Sequence, residues 1–294
     1  MIDGQTQMVG LIGWPVEHSL SPVMHNAAFD ALGLNWRYVP LPVPPGHVEA
    51  AVRGLAALGF RGANVTVAHK QAVMATLDSI GDSAIKLGAV NTIVIGRADD
   101  GSTRLSGYNS DATGFAGALR MGGYEPEEGR RAVIVGAGGA ARAVVFGLLG
   151  SGSGEIVVLN RTTQRAKALV SDLRGFSDQG FRLHTLPLTV ETLVESVRSA
   201  DLLVNATSVG LWPHMESSIW PESVPLPAHL TVFDLVYRPL ETRLLRQARE
   251  SGAHAINGLG MLVRQGAVAF ELWTGEPAPV DVMRAACEQA LGTA

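Results

Sequence analysis

Read for the spacing of its apolar positions, the chain alternates short β-branched runs with longer segments of helical period. Arg131 to Val135 is apolar after its first residue, which predicts a buried strand, and the Ala-, Val- and Leu-rich segment Ala140 to Leu149 behind it predicts a helix. Further strands are predicted near residues 155, 182, 202, 231 and 253 and helices near 163, 190 and 240. That alternation specifies a doubly wound parallel sheet of about six strands. The first third repeats it in a separate α/β unit, with strands at Met8 to Ile12, Trp36 to Leu41 and Gly62 to Val67 and helices after Pro22 and Gly46. Asp111 to Met121 reads as a connecting helix. Two later helical patterns, Gly260 to Trp273 and Val280 to Leu291, are expected to return to the first unit. The expected division is residues 1–110 with 257–294 in one α/β domain and residues 111–256 in the doubly wound one. Ser151 to Gly154 and Trp212 to Pro227 are loop-rich, and no repeat or low-complexity stretch intervenes.

Composition narrows the partners. With 294 residues, 47% hydrophobic and 17% charged, the chain fits a two-domain α/β protein with well-buried strands. A net charge of −4 without a cluster of Lys and Arg argues against nucleic acid or an anionic membrane as a partner. Any anionic ligand must then meet a local basic patch. Cys287 is the only cysteine, which excludes an intrachain disulfide framework and a thiolate metal cluster, and no metal site is expected. No stretch reaches the length of a membrane span, and the first residues carry no basic-then-apolar leader, so a cytoplasmic enzyme is expected.

The glycines after the strand at Arg131 to Val135 point to a dinucleotide. Gly136 permits the turn, Gly138 lets the backbone approach a pyrophosphate, and Ala141 is the third small position, where helix packs on strand. Free amides across Gly136, Ala137, Gly138, Gly139 and Ala140 would face the phosphates. This is the context of a Rossmann domain. The next strand, Glu155 to Asn160, ends without the Asp or Glu that would bind a ribose 2′-hydroxyl. Asn160 stands there instead, and Arg161, Thr162 and Arg165 offer two cations and a hydroxyl to a 2′-phosphate. Alternatively, Thr162 caps the following helix and the arginines are merely solvated. The two are compatible, and the pattern favours NADP.

The other domain supplies candidate chemistry. Ser19 and Ser21 lie two apart after the first strand, a spacing that could point both hydroxyls at a carboxylate. Ser21-Pro22 also has the form of a helix N-cap, with Gly33 closing that helix. Asn64 and Thr66 sit on a strand that would otherwise be apolar, and a buried amide there must be satisfied, as by a polyhydroxy ligand. Lys70, in the turn that follows, is a candidate proton donor, although a lysine opening a helix is ordinarily a surface residue. Asp111 could cap the connecting helix. If the strand carrying Asn109 lies beside the one carrying Asn64, its carboxylate would instead come near Lys70. A Lys/Asp pair opposite a nicotinamide suits hydride transfer, the ammonium protonating the developing alkoxide and the carboxylate orienting it.

Seven ordered motifs give the chain a close resemblance to shikimate dehydrogenases over nearly its whole length. They are Gly13-x-Pro-x-x-His-Ser-x-Ser-Pro-x-x-His-Asn, Gly62-Ala-Asn-Val-Thr-Val-x-His-Lys, Gly88-Ala-Val-Asn-Thr, Gly136-Ala-Gly-Gly-Ala, Asn160-Arg-Thr, Asn205-Ala-Thr-Ser and Gly258-Leu-Gly-Met-Leu-Val-x-Gln. The resemblance implies a substrate domain built from both chain ends, an NADP domain between them, and NADPH-dependent reversible reduction of 3-dehydroshikimate to shikimate, in aromatic amino-acid biosynthesis. It implies that Ser19 and Ser21 hold the carboxylate, that Asn64, Thr66, Asn91, Asp111 and Gln265 hold ring hydroxyls, and that Lys70 and Asp111 are the catalytic pair. Tyr237 would close over the substrate, and Thr207, Gly258 and Met261 would belong to the cofactor side. Two positions depart from the commonest family pattern: Ala68 stands for a proline before His69-Lys70, and Ser110 for a threonine before Asp111. Alternatives within the resemblance are action on quinate or an aminated shikimate, or a catalytically silent NADPH-binding regulator. A monomer or a homodimer is expected.

Overall fold

The structure, a computed structural model, describes residues 2–98, 100–127, 129–150, 154–176 and 182–292; residues 151–153 of the expected Ser151 to Gly154 loop lie outside the described residues. Two compact units emerge, Met1–Ser110 with Val263–Ala294, and Asp111–Leu262.

The first unit carries β1 (Gln7–Gly13), α1 (Ser21–Ala31), β2 (Trp36–Pro42), α2 (Val48–Ala57), β3 (Gly62–Val65), a 3-10 turn at Ala72–Thr76, β4 (Ser79–Ile80), α3 (Asp82–Leu87), β5 (Thr92–Arg97) and β6 (Thr103–Tyr108). Its sheet runs β2-β1-β3-β5-β6-β4. β1 is parallel to β2 and β3, whereas β3, β5 and β6 pair antiparallel. The hairpin of β5 and β6, short β4 and α3 are additions to the elements expected from sequence. They carry a correction: β5 lies between β3 and β6, so the strand leading to Asn109 is not beside the one carrying Asn64. α1 ends in a closed helix terminus. Gly33 takes φ of 65°, its N–H donates to Asp30, and the Leu34 N–H donates to Phe29.

The second unit runs α4 (Asp111–Met121), β7 (Arg131–Val135), α5 (Gly139–Leu149), β8 (Glu155–Asn160), α6 (Thr163–Leu173), β9 (Arg182–Pro187), α7 (Val190–Arg198), β10 (Leu202–Asn205), β11 (Thr231–Asp234), α8 (Arg243–Glu250) and β12 (His254–Ile256). Its six strands are ordered β12-β11-β10-β7-β8-β9 and all pair parallel. Sequence order runs outward in both directions from β7, so the crevice for a ligand opens beyond the carboxyl ends of β7 and β10. Val133, Ile134, Val157, Val158, Leu202 and Leu203 are fully buried, which is why these strands read as unbroken apolar runs. Truncating Ile134 to alanine removes about 2–5 kcal/mol.

α9 (Leu259–Thr274) begins in the second unit and continues into the first, and α10 (Val280–Ala290) follows it. The second crossing therefore falls at Val263 rather than at residue 257, because one helix serves both units. Cys287 is buried in α10 as a free thiol, pushed up to about 11 by burial.

Candidate active site

In the second unit the turn after β7 has the form a diphosphate needs. Gly136 takes φ of 121°, and a Cβ there would stand 2.8 Å from the Ala206 carbonyl, so only glycine fits. Gly138 sits at the N-cap of α5 and Gly139 opens the helix; both are exposed, and a Cβ on either would meet open space. The amides from Gly138 to Ala140 start an eleven-residue helix, where phosphate is favoured. Ala141 is fully buried, as close packing of helix on strand requires. At the end of β8, the Asn160 amide donates to the Thr162 carbonyl at 2.9 Å, while Arg161, Thr162 and Arg165 are exposed. Thr162 occupies the N-cap position of α6, but its side chain makes no capping bond. The Thr162 hydroxyl is therefore not spent on capping α6. Among the described residues no carboxylate closes β8, so the residues present fit a 2′-phosphate rather than a free ribose hydroxyl.

Beyond β10 the Asn205 amide closes a loop around Thr207, whose hydroxyl donates to Asn205 Oδ1 at 2.6 Å. Gly258 is buried, and a Cβ there would lie 2.1 Å from the Leu235 carbonyl. A close backbone approach explains this glycine. Tyr237 is half-buried just past β11, and Met261 packs against the core of this unit.

The first unit buries a connected polar chain. Tyr38 donates to Asn64 Oδ1 at 2.8 Å, and Asn64 Nδ2 donates to the Asn91 carbonyl and to Thr92 Oγ1, each at 3.2 Å. Thr92 Oγ1 donates to Asn91 Oδ1, Asn91 Nδ2 donates to Ser110 Oγ at 2.9 Å, and the Ser110 hydroxyl donates to the Gln265 carbonyl at 3.0 Å. The expectation that Asn64 needs a ligand to satisfy its amide is thus corrected: Tyr38, Asn91 and Thr92 satisfy it. Ser110 keeps the hydroxyl on which this chain depends, so its exchange for threonine costs a methyl alone. Burial drives the Tyr38 phenol strongly upward, which keeps its proton on the oxygen.

Neither serine is the N-cap of α1. Leu20 is the N-cap of α1, and Ser21 is its first helical residue and makes no capping bond. It is Ser19 Oγ that accepts the Ser21 N–H, at 3.2 Å. The Ser21 hydroxyl lies instead toward Tyr38. Thr66 is just past β3, and its carbonyl accepts the His69 N–H. Lys70 is half-buried in the turn before the 3-10 segment and does not open a helix. That turn is held at two points: buried His69 Nε2 meets the Val43 carbonyl at 2.7 Å, and the Val90 N–H donates to the Lys70 carbonyl at 2.8 Å. The Val67–Ala68 peptide is cis. Asp111, in the second unit, is buried in the first turn of α4.

Family models cover most of the chain. That of the shikimate dehydrogenase substrate binding domain matches residues 11–93, that of shikimate / quinate 5-dehydrogenase residues 124–215, and that of the shikimate 5′-dehydrogenase C-terminal domain residues 258–288. A shikimate dehydrogenase (NADP(+)) from Methanopyrus kandleri is 48% identical over 285 residues, 97% of this chain and 96% of its own. The chain belongs to the shikimate dehydrogenase family. A solved shikimate dehydrogenase in complex with NADP+ is 40% identical with a TM-score of 0.89, covering 99% of this chain and 98% of its own. The Thermus thermophilus shikimate 5-dehydrogenase, solved with NADP(H) and shikimate, is 40% identical with a TM-score of 0.84, covering 97% and 100%.

Family membership joins the two sets of residues in one enzyme. Asn64, Asn91, Ser110 and the Gln265 carbonyl meet in a single network within the first unit, and Thr66 and Lys70 adjoin it through the turn after β3. Gly136 to Ala140, Asn160 to Thr162 and Thr207 line the carboxyl ends of β7, β8 and β10 in the second. Tyr38 and Thr92 were not singled out from sequence. Thr92 was legible, as the last residue of Gly88-Ala-Val-Asn-Thr; Tyr38 stands among Trp36, Arg37 and Val39 with nothing to mark its hydroxyl.

Proposed function

We propose that this enzyme interconverts 3-dehydroshikimate and shikimate with NADPH/NADP, using Lys70 and Asp111 as its catalytic pair. The turn from Gly136 to Ala140 would hold NADPH, which would supply the hydride for the carbonyl carbon of the substrate. Lys70 Nζ delivers a proton to the oxygen that becomes the new hydroxyl, and the Asp111 carboxylate orients that oxygen and the ammonium. Ser19 and Ser21 hold the substrate carboxylate. Thr66, Asn91 and Gln265 hold ring hydroxyls, and Asn64 offers the lone pair its own network leaves over. Tyr237 covers the substrate. Arg161, Thr162 and Arg165 hold the 2′-phosphate, with Asn160 shaping their turn, while Thr207, Gly258 and Met261 border the nicotinamide. The enzyme works in the cytoplasm on small molecules alone, as a monomer or homodimer.

One observation carries the reading: a buried run of amides and hydroxyls from Tyr38 to Ser110 lies one residue from Val90, whose N–H holds the carbonyl of Lys70. Such a network rigidifies the strands that carry Asn64 and Asn91 and so pre-positions them for a polyhydroxy ligand beside a proton donor. The test is an initial-rate comparison of shikimate and quinate, each with NADP and NAD. Shikimate with NADP is expected to be fastest. Faster quinate turnover with NAD would reassign both specificities, and no turnover with any pair would favour the regulator.

A further inference from the structure

The second unit contains a buried carboxylate that the mechanism above does not use. Asp234 ends β11, is fully buried, and is pushed up to about 6 by burial. Three hydrogen bonds oppose that burial, from Asn205 Nδ2 to Oδ1 at 2.9 Å, from the Val236 N–H to Oδ1 at 3.0 Å, and from Thr242 Oγ1 to Oδ2 at 2.7 Å. A carboxylate kept in an apolar sheet without a cation is costly, and its partners indicate what it does there.

Asn205 is the closure of the loop beyond β10. Its Oδ1 accepts from the Thr207 N–H at 3.1 Å and the Thr207 hydroxyl at 2.6 Å, while Nδ2 donates to the Val209 carbonyl at 3.1 Å. The Thr207 hydroxyl accepts in turn from the Val209 N–H at 3.1 Å. All four bonding positions of the Asn205 amide are therefore filled in one orientation. Turned over, it would set its NH2 against the Thr207 N–H. An ionised carboxylate can only accept, so it requires Nδ2 on its own side and leaves Oδ1 for Thr207. The same Oδ1 of Asp234 holds the Val236 N–H, one residue before Tyr237, and the Val236 carbonyl accepts the Gly258 N–H at 3.2 Å.

We infer that Asp234 is a positioning residue for the cofactor half of the site: by fixing the orientation of the Asn205 amide it sets the loop that presents Thr207, and by holding Val236 it sets the segment that presents Tyr237 and Gly258. This rests on the assignment of those three residues to the nicotinamide and substrate side proposed above. Thr242 is the arm that does not lead to the site, since its hydroxyl caps α8 by accepting the Leu245 N–H. It separates positioning from stability.

The experiment measures NADPH dissociation by fluorescence and initial rates for Asp234→Asn, Asp234→Leu, Asn205→Asp and Thr242→Val, each with its Tm. Asp234→Leu leaves a buried NH2 unpaired and frees both the Thr207 loop and the Val236 segment, so KM for NADP should rise about tenfold or more and KM for shikimate should rise with it through Tyr237. Asp234→Asn can keep an acceptor at Oδ1 and turn its own NH2 to Thr242, so it should restore NADP affinity to within about threefold of wild type. Thr242→Val should lower Tm while leaving both KM values and kcat within about twofold. If Asp234→Leu does not fold, Asn205→Asp decides, because it keeps shape and Oδ1 yet sets an oxygen against Asp234; it should weaken NADPH as Asp234→Leu would. Wild-type NADPH affinity in folded Asp234→Leu or Asn205→Asp would overturn the inference, as would an equal loss in Thr242→Val. A wild-type protein that binds NADPH but turns over no substrate would remove the functional reading, and the NADPH dissociation constants would still decide this one.

Discussion

Lowering the pH from about 7.5 to about 5 should destabilise the substrate unit through one residue, His25. The ring is fully buried, neither nitrogen has a hydrogen-bond partner among the described residues, and it stacks on Tyr38 with centroids 4.5 Å apart and planes 5° from parallel. Burial alone pushes it down to about 3 from an ordinary value of 6.5. The folded form therefore excludes a proton that the unfolded chain accepts below 6.5, so the stability present at neutral pH is lost as pH falls from 6.5 toward 3. At about pH 5 the loss is the 1.5-unit gap below 6.5 at 1.36 kcal/mol each, about 2 kcal/mol. His25→Phe abolishes the proton site while keeping an aromatic ring against Tyr38, Phe270 and Trp273. Urea unfolding followed by tryptophan fluorescence, at both pH values for both proteins, isolates the effect, because every other titrating group cancels in the difference. The variant should gain about 2 kcal/mol on wild type between the two pH values. Parallel pH dependence of the two proteins would refute the reasoning and mean that folded His25 has a partner or takes the proton.

Three further outcomes follow from the site. Arg161→Ala should raise KM for NADP about tenfold or more while barely changing that for NAD, read from initial rates; equal losses would mean that Arg161 does not read the 2′-phosphate. Tyr38→Phe removes the donor to Asn64 Oδ1 and leaves a buried acceptor, so kcat/KM for shikimate should fall about tenfold, with KM for NADP unchanged. Unchanged kcat/KM for shikimate would place Asn64 outside substrate recognition. Asp234 has the opposite pH sign to His25: its raised value, about 6 against 3.8, means that stability is gained as pH falls through that window and lost as pH rises through 6. Asp234→Asn should erase up to about 3 kcal/mol of that slope in urea melts, and an unaltered slope would contradict it.

The parallel sheet was legible because β-branched runs buried on both faces leave an unmistakable pattern, as at Arg131 to Val135 and Glu155 to Asn160. The glycines were legible for a steric reason, since Gly136 and Gly258 each face a carbonyl where a Cβ would stand. Thr92 to Arg97 and Thr103 to Tyr108 were missed, although Thr92-Ile-Val-Ile shows the same β-branching. The cost was the false neighbour relation between Asn64 and Asn109. Side-chain bonding was less accessible still. Spacing put Ser21 at a helix cap and freed Ser19, whereas the structure gives Ser19 the backbone amide and turns Ser21 toward Tyr38. Which of two hydroxyls two residues apart takes that bond is a choice that periodicity does not encode. Asn205 opened a recognised motif but Asp234 went unremarked, because its importance lies in a bond between residues 29 positions apart.

The account turns on Lys70 as the proton donor, and Lys70→Ala tests that most directly. Steady-state kinetics of shikimate oxidation with NADP should show kcat reduced about a hundredfold or more with KM for shikimate within about threefold, the signature of an interaction made in the transition state. Wild-type kcat in the variant would contradict it and send the search for the proton donor elsewhere.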